Sequence, residues 1–508
     1  VLPIIIVSLL TNCSGKDQPR SESYIQNQIS SGEKVAFLPL VDRPDGIPSH
    51  NPIDRDLFSL HKRLAPQDST KINRVSSQDV PPPKTGDIDF FWISDLDDNS
   101  MYQTRAELLF ISKHAYWFFD KSEGAPQLED VEVIADTFES YIYPSVTASF
   151  GNEWTPGIDK DPHIYILHVG LNGVSGYYSA SDEYPAQIYP YSNEHEMIYL
   201  DSYKIRLGSS EYFGLLAHEL QHAIHWAQDP SEETWVNEGL SEVAKKIAGY
   251  PLDFLSSFED HHSISLTNWP ADGVSPLPHY GASSLFVEYL AQQFGGHSNL
   301  SLLIQSQEDG IEGVIEFLDI LGVSSSFYDV FRDWTIANYL DPLEMEGFHY
   351  EGLTLNLSPD KVLRDYGQIS STLPQFSAEY VELDFGEKSS IVSFQGSPTS
   401  SILPIHSAHE NYCWWGNKGD SINSFLTTRV DLSSVNSASL NFKIWYSLEK
   451  SWDYAYVEIS LDDGNSWALL EGNYTSLENP LGRGFGPGYT GQSKEWKKEN
   501  IDLSPYVG

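Results

Sequence analysis

The sequence predicts two folded parts in succession: an α+β domain built on a mixed sheet with a lobe of helices, then an all-β sandwich. Three observations carry this prediction. Aromatic and β-branched clusters bounded by turn residues, as in "GDIDFFWISDLDDNSMYQTRAELLFISKHAYWFFD", share the first part with long runs at helical spacing. Near Thr372 the text changes to short alternating strands, with Leu440, Phe442, Ile444 and Tyr446 on one face and Ala455, Val457, Ile459 and Leu461 on one face of the next run. A chain of 508 residues also exceeds one ordinary core.

Taken in order, Val1 to Leu10 is an apolar run too short to span a bilayer and is followed by small polar residues, the shape of an export segment. With no initiating Met and no basic stretch before it, the chain reads as a fragment at its amino end. Leu10-Thr11-Asn12-Cys13 resembles a bacterial lipobox, with Asn12 in place of the usual small residue. Residues 1–13 are thus expected to be a signal segment, and the protein to be extracellular, either secreted or held at the bacterial surface through a lipid on Cys13. Cys413 is left without a disulfide partner. Residues 14–84 are polar and proline-punctuated, with one amphipathic stretch, "DLFSLHKRL", and read as a tether or pro-segment. The α+β domain is expected at 85–375 and the sandwich at 376–508.

Charge removes some partners. The chain has 72 acidic and 30 basic residues, a net charge of -42, which repels polyanions. Nucleic acid and anionic membrane surfaces are excluded on that ground, leaving the Cys13 lipid as the one route to a membrane.

Within the first domain, "DVEVIADTFESYIYPSVTASFG" carries apolar residues at helical spacing, and "HIYILHV" and "EMIYLD" read as buried strands. The stretch "LLAHELQHAIHWAQDPSEETWVNEGLSEVA" then packs three histidines and five glutamates into thirty residues. Leu215, Leu216, Leu220, Ala223, Ile224 and Ala227 give it helical spacing. His218 and His222, four apart, project from one face and can reach one metal ion. Glu219 stands beside the first histidine, placed for a metal-activated water. This is the HExxH arrangement, and a zinc site of this kind needs a third protein ligand while keeping a fourth position open.

HExxH followed by "WVNEG" resembles the gluzincin zinc peptidases. The resemblance implies a zincin-like fold with an active-site helix and a helical lower lobe, bound Zn2+, and Glu238 as the third ligand. Fifteen residues separate His222 from Glu238, somewhat fewer than is usual in gluzincins, so the loop at Asp229-Pro230-Ser231 must be tight. Glu232 and Glu233 compete as ligands but fall in that loop. Glu242 matches the gluzincin carboxylate that holds a ligand histidine, with a solvated helix charge as the alternative. A metzincin would place Gly at 225 and His at 228, where this chain has His225 and Gln228; His225 reads as a partly buried or solvated side chain.

"HYGASSLFVEYLAQQFGG" resembles the helix that opens with an active-site tyrosine in aminopeptidase-type gluzincins. It implies Tyr280 as donor to the developing oxyanion, with His279 as the alternative. The helical runs beyond, including "FYDVFRDWTIANYL", suit the lower lobe. The G-x-M-E-N segment by which aminopeptidases hold a free amino terminus is missing, the nearest text being "EHEMIYLD". Cleavage within polypeptides is therefore expected, with "HIYILHV" pairing to an extended substrate by strand addition.

From about Ser401 to the end, the text around "CWWGNKGDSINSFLTTRVDLSSVNSASLNFKIWYSLEKSWDYAYVEIS" resembles the carboxy-terminal module of secreted bacterial immune inhibitor A-like metallopeptidases. "SLDDGNSW" fits an Asp-box hairpin, and the chain stops at "IDLSPYVG" where a further strand is expected. Asp420 and Asp453 are candidates for a structural Ca2+, against solvated turn carboxylates. Two functions follow. One is a secreted zinc endopeptidase acting on protein or peptide substrates through a zinc-activated water, with Glu219 as general base. The other is a surface binding protein whose sandwich recognises glycan or protein and whose peptidase domain is inert or self-processing.

Overall fold

The structure, a computed structural model, describes residues 4–7, 53–65, 72–75, 81–122, 124–270, 274–343, 345–385, 391–397, 399, 401, 403–405 and 413–508. Cys13, the expected lipid attachment point, and most of the expected tether lie outside them. The chain divides into two compact units, 71–394 and 1–70 with 395–508.

The first unit is built on a six-stranded mixed sheet. Its strands are β1 (Ile88–Asp95), β2 (Ser100–Ile111), β3 (Ala115–Asp120), β4 (Ile164–Val169), β5 (Gly176–Tyr178) and β6 (Met197–Asp201), in the order β1-β2-β3-β4-β6-β5. β3, β4 and β6 are parallel and β1, β2 and β5 run antiparallel to their neighbours. The period of two along a strand explains the unbroken apolar runs in the middle of the sheet. Ala115, Trp117, Ile164, Ile166, Ile198 and Leu200 enter one core. The alternate residues Tyr116, Phe118, Tyr165, Leu167, Met197 and Tyr199 enter another.

This order corrects one expectation. After His163, "HIYILHV" is β4, enclosed by β3 and β6 and buried from Ile164 to Val169, so no substrate strand can pair with it. The terminal strand on that side is β5.

The helices of this unit pack into the larger core. They include α1 (Leu128–Thr137) and α2 (Tyr143–Phe150), joined through one wide turn at Phe138–Ile142, then α3 (Ser210–Gln228), α4 (Thr234–Ile247), α5 (Leu255–Asp260) and α6 (Leu277–Gln293). Leu300–Ile304, Gly310–Ile320 and Phe327–Leu340 complete a helical group, the last capped by reciprocal Ser326 and Asp329 hydrogen bonds.

In the second unit, Ile4–Val7, four of the residues read as an export segment, pairs antiparallel with Thr427–Arg429 and with Val457–Ser460. Ser439–Ile444 pairs antiparallel with Lys497–Asp502. Ile444, Val457, Ile459 and Ile501, drawn from both sheets, share one core. Leu461, expected on the buried face, is exposed, because the strand ends at Ser460 and the Asp462 turn begins. Part of the expected tether is folded here: Leu57–Leu64 is a helix whose Arg63 pairs with Glu458 at 2.7 Å and lies over the Phe425 and Trp467 rings at 4.6 and 4.8 Å.

Candidate metal centre

Helix α3 starts at Ser209, whose hydroxyl accepts from the Tyr212 amide. It is anchored to the sheet where Tyr212 meets His168 of β4 at 2.8 Å. From Leu216 to Trp226 nearly every residue is buried, so the polar ones there must be served by protein partners or by a ligand. Helix α4 approaches α6 closely because of Gly239. A Cβ at that position would stand 2.7 Å from the Ser283 carbonyl oxygen and 2.8 Å from Val287, which accounts for the glycine in "WVNEG". One packing contact thereby sets the positions of Glu238 on α4 and Tyr280 at the start of α6.

The expected ligands come together. His218 Nε2 and His222 Nε2 are 3.0 Å apart, and Glu238 Oε2 lies 3.3 Å from the first and 3.5 Å from the second. Ligand atoms on a tetrahedral ion with bonds of about 2 Å stand about 3.3 Å apart, so the trio fits a single ion. Burial alone would lower the His218 pKa, yet the Glu238 and Glu242 carboxylates outweigh it and lift it to about 10. Burial would raise Glu238, but the two imidazoles hold it well below the usual carboxylate range. These opposed shifts mark a place arranged for positive charge.

Each histidine is braced from behind by the same helix. Glu242 Oε1 lies 3.1 Å from His218 Nδ1, and Ser241 Oγ lies 3.1 Å from His222 Nδ1. Glu238, Ser241 and Glu242, at i, i+3 and i+4, share one face of α4. Of the two readings of Glu242, the solvated helix charge is ruled out, since the side chain is buried against a ligand histidine. Its carboxylate is backed in turn by Lys245 at 3.2 Å, itself paired with Asp253. Sequence reasoning missed Ser241, although its i+3 spacing from Glu238 was a usable signal.

Glu219 is buried beside the trio, and burial raises its pKa, bringing it toward the range of a working base. The nearby Tyr178 backbone amide of edge strand β5 partly opposes that rise. The Tyr280 ring is 6.4 Å from that of His218, wedged by Phe254 and Trp269. The field of Glu238, then burial, keeps its phenol protonated far above the usual range. His279 instead packs on Trp269, 5.8 Å between rings.

Other candidates fall elsewhere. Glu232 and Glu233 do not join the trio; Glu232 groups with His225 and Asp229, and Glu233 accepts from the Trp235 indole at 2.7 Å. His225 is fully buried rather than solvated. Asp420 and Asp453 belong to no group of three ligating side chains among the described residues, and Asp453 feels Arg55 and Arg483.

Comparison with known proteins finds a family match toward the carboxy end of the chain. Residues 384–508 match the family described as Immune inhibitor A-like, MAM domain, in line with the resemblance read from about Ser401 onward. The Pre-pro-metalloprotease PrtV of Vibrio cholerae serotype O1 is 31% identical over 111 residues in each of two strains. That match takes in 22% of this chain and 11% of the relative, so the chain spans about a tenth of the curated relatives' length. These matches support kinship with immune inhibitor A-like metalloproteases.

Proposed function

We propose that the chain is an exported zinc endopeptidase with a zincin-like catalytic domain at 85–375 followed by a sandwich at 376–508. The single observation that carries this reading is the convergence of His218 Nε2, His222 Nε2 and Glu238 Oε2 within 3.5 Å of one another beside a buried carboxylate. Two imidazoles and a carboxylate are a catalytic zinc donor set. When bound there, zinc supplies Lewis acidity toward a peptide carbonyl and water.

The chain's own residues divide the remaining work. Ser241 and Glu242 fix the two rings with their Nε2 atoms toward the ion. Glu219 takes a proton from the attacking water and returns it to the departing amine nitrogen. The Tyr280 hydroxyl donates to the oxygen of the former carbonyl as negative charge gathers there. Because β5 ends the sheet on that side, it replaces "HIYILHV" as the edge along which an extended substrate lies. Main-chain pairing at that edge selects no chain end.

The test is cleavage of an amino-terminally blocked peptide against its free counterpart by the zinc-loaded full chain, with products mapped by mass spectrometry. Internal cuts in both, abolished by chelation and restored by Zn2+, are expected. Stepwise loss from the free amino end alone overturns the endopeptidase assignment, and no cleavage of either favours a binding protein carried by the sandwich.

A further inference from the structure

We propose that His225, Asp229 and Glu232 form a second metal site, for a divalent transition-metal cation that holds the catalytic helices together. The three side chains are all buried, and each offers one ligand atom within 4.8 Å of the others. His225 lies one turn beyond His222 on α3, Asp229 caps that helix, and Glu232 immediately precedes the cap residue of α4.

What separates this group from an ordinary buried cluster is what its atoms lack. His225 is 0% exposed and neither of its ring nitrogens has a hydrogen-bond partner. A buried imidazole with no partner is costly, and a cation supplies a partner for one of its nitrogens. Glu232 shows the same need from the other side. Its Oε1 accepts from the Gly310 and Glu233 amides at 2.7 and 2.6 Å, while Oε2 is buried without a donor. Asp229 is oriented through Oδ1 by the amide and hydroxyl of Ser231 at 3.1 and 3.0 Å. Two carboxylates balance the charge of a divalent ion. The imidazole argues against calcium, which takes oxygen ligands, and for a borderline cation such as zinc.

The position gives the site a purpose. Only fifteen residues lead from His222 to Glu238, and the chain must leave one helix, turn and enter the next within them. A cation held by the end of α3 and the start of α4, with Glu232 also gripping Gly310, fixes that turn and with it the third catalytic ligand. The proposal does not depend on the peptidase reading.

The experiment uses the full chain stripped of metal and titrated with Zn2+ alone, reading bound zinc by mass spectrometry and Tm by calorimetry. Wild type should take two equivalents. A His222→Ala, Glu238→Gln double variant, which removes two of the three catalytic donors, should keep one and still gain Tm on adding zinc. Adding Glu232→Gln to it should abolish both, and His225→Gln should do the same. Gln at 232 keeps the acceptor for Gly310 and removes a buried acid, so the metal-free Tm of that variant should equal or exceed that of wild type. The proposal is overturned if the double variant binds no zinc, if Glu232→Gln and His225→Gln leave binding intact, if Ca2+ reproduces the whole shift, or if Glu232→Gln does not fold without metal. A wild type that binds one equivalent, retained in the double variant and lost with Glu232→Gln, upholds this site and removes the catalytic assignment instead.

Discussion

Two carboxylates, Glu499 in one unit and Glu238 in the other, are treated in opposite ways. In the β-rich unit Glu499 is 3% exposed and fully supplied: Oε2 accepts from the Asn473 amide at 2.8 Å and its side chain at 3.1 Å, and Oε1 accepts from the Tyr474 amide at 2.9 Å and the Tyr489 hydroxyl at 3.1 Å. In the α/β unit Glu238 Oε2 has no donor and faces two imidazole nitrogens. A saturated carboxylate has its interactions within the fold, whereas one whose oxygen only faces two imidazole nitrogens is placed for something that binds. The family match covers 384–508 and the ligand trio lies outside it.

The strongest way to break this contrast is at the buried acid that is not a ligand. Glu219→Gln keeps shape and burial, so zinc content should be unchanged while turnover falls by about 10²- to 10⁴-fold. Peptide hydrolysis alongside metal analysis checks it. Activity near wild type would return Glu219 to the class of structural carboxylates. Next is Tyr280→Phe, which keeps the ring between Phe254 and Trp269 but removes the donor. A loss of about 10²-fold in kcat with little change in KM is expected for one oxyanion donor. A change in KM alone would make the ring a substrate contact.

Glu242→Gln sharpens the contrast, since Glu242 has donors yet serves the site. Gln keeps a polar contact to His218 but loses the charge that Lys245 and His218 share, and zinc affinity should fall by about 10- to 100-fold, read by competition with a chelator. Unchanged affinity would show that ring orientation, rather than charge, is what α4 supplies.

How much of this the sequence revealed follows from where each interaction is encoded. His218, Glu219 and His222 are legible because one helix turn encodes their relation. Glu238 was legible through its resemblance to a known segment, and the fold supplied the reason in the Gly239 contact. The nearness of the Tyr178 amide to Glu219 was not legible, because it depends on which strand closes the sheet. "HIYILHV" was misplaced for the same cause: a strand buried on both faces reads as apolar wherever it stands in the strand order. His225 was read as partly buried or solvated because its burial depends on tertiary packing, including the return of the chain through Asp229 and Glu232, which helical spacing does not show. Leu461 continued an alternation that the Asp462 turn had already ended.

The smallest effect on turnover is expected at Glu499, where the contrast predicts none. Both of its oxygens face donors, so Glu499→Gln must point an amide NH2 either at the Asn473 pair or at the Tyr474 amide and the Tyr489 hydroxyl. Leaving one such buried donor unmet costs about 1–3 kcal/mol, and the cost falls on the β-rich unit, whose core includes Tyr489. The unfolding transition of that unit should move down while kcat, KM and zinc content of the folded chain stay at wild-type values. Calorimetry and hydrolysis on one preparation decide it. If turnover falls in step with stability, the carboxylate that looked satisfied also supports the site, and the two units cannot be assigned separate tasks.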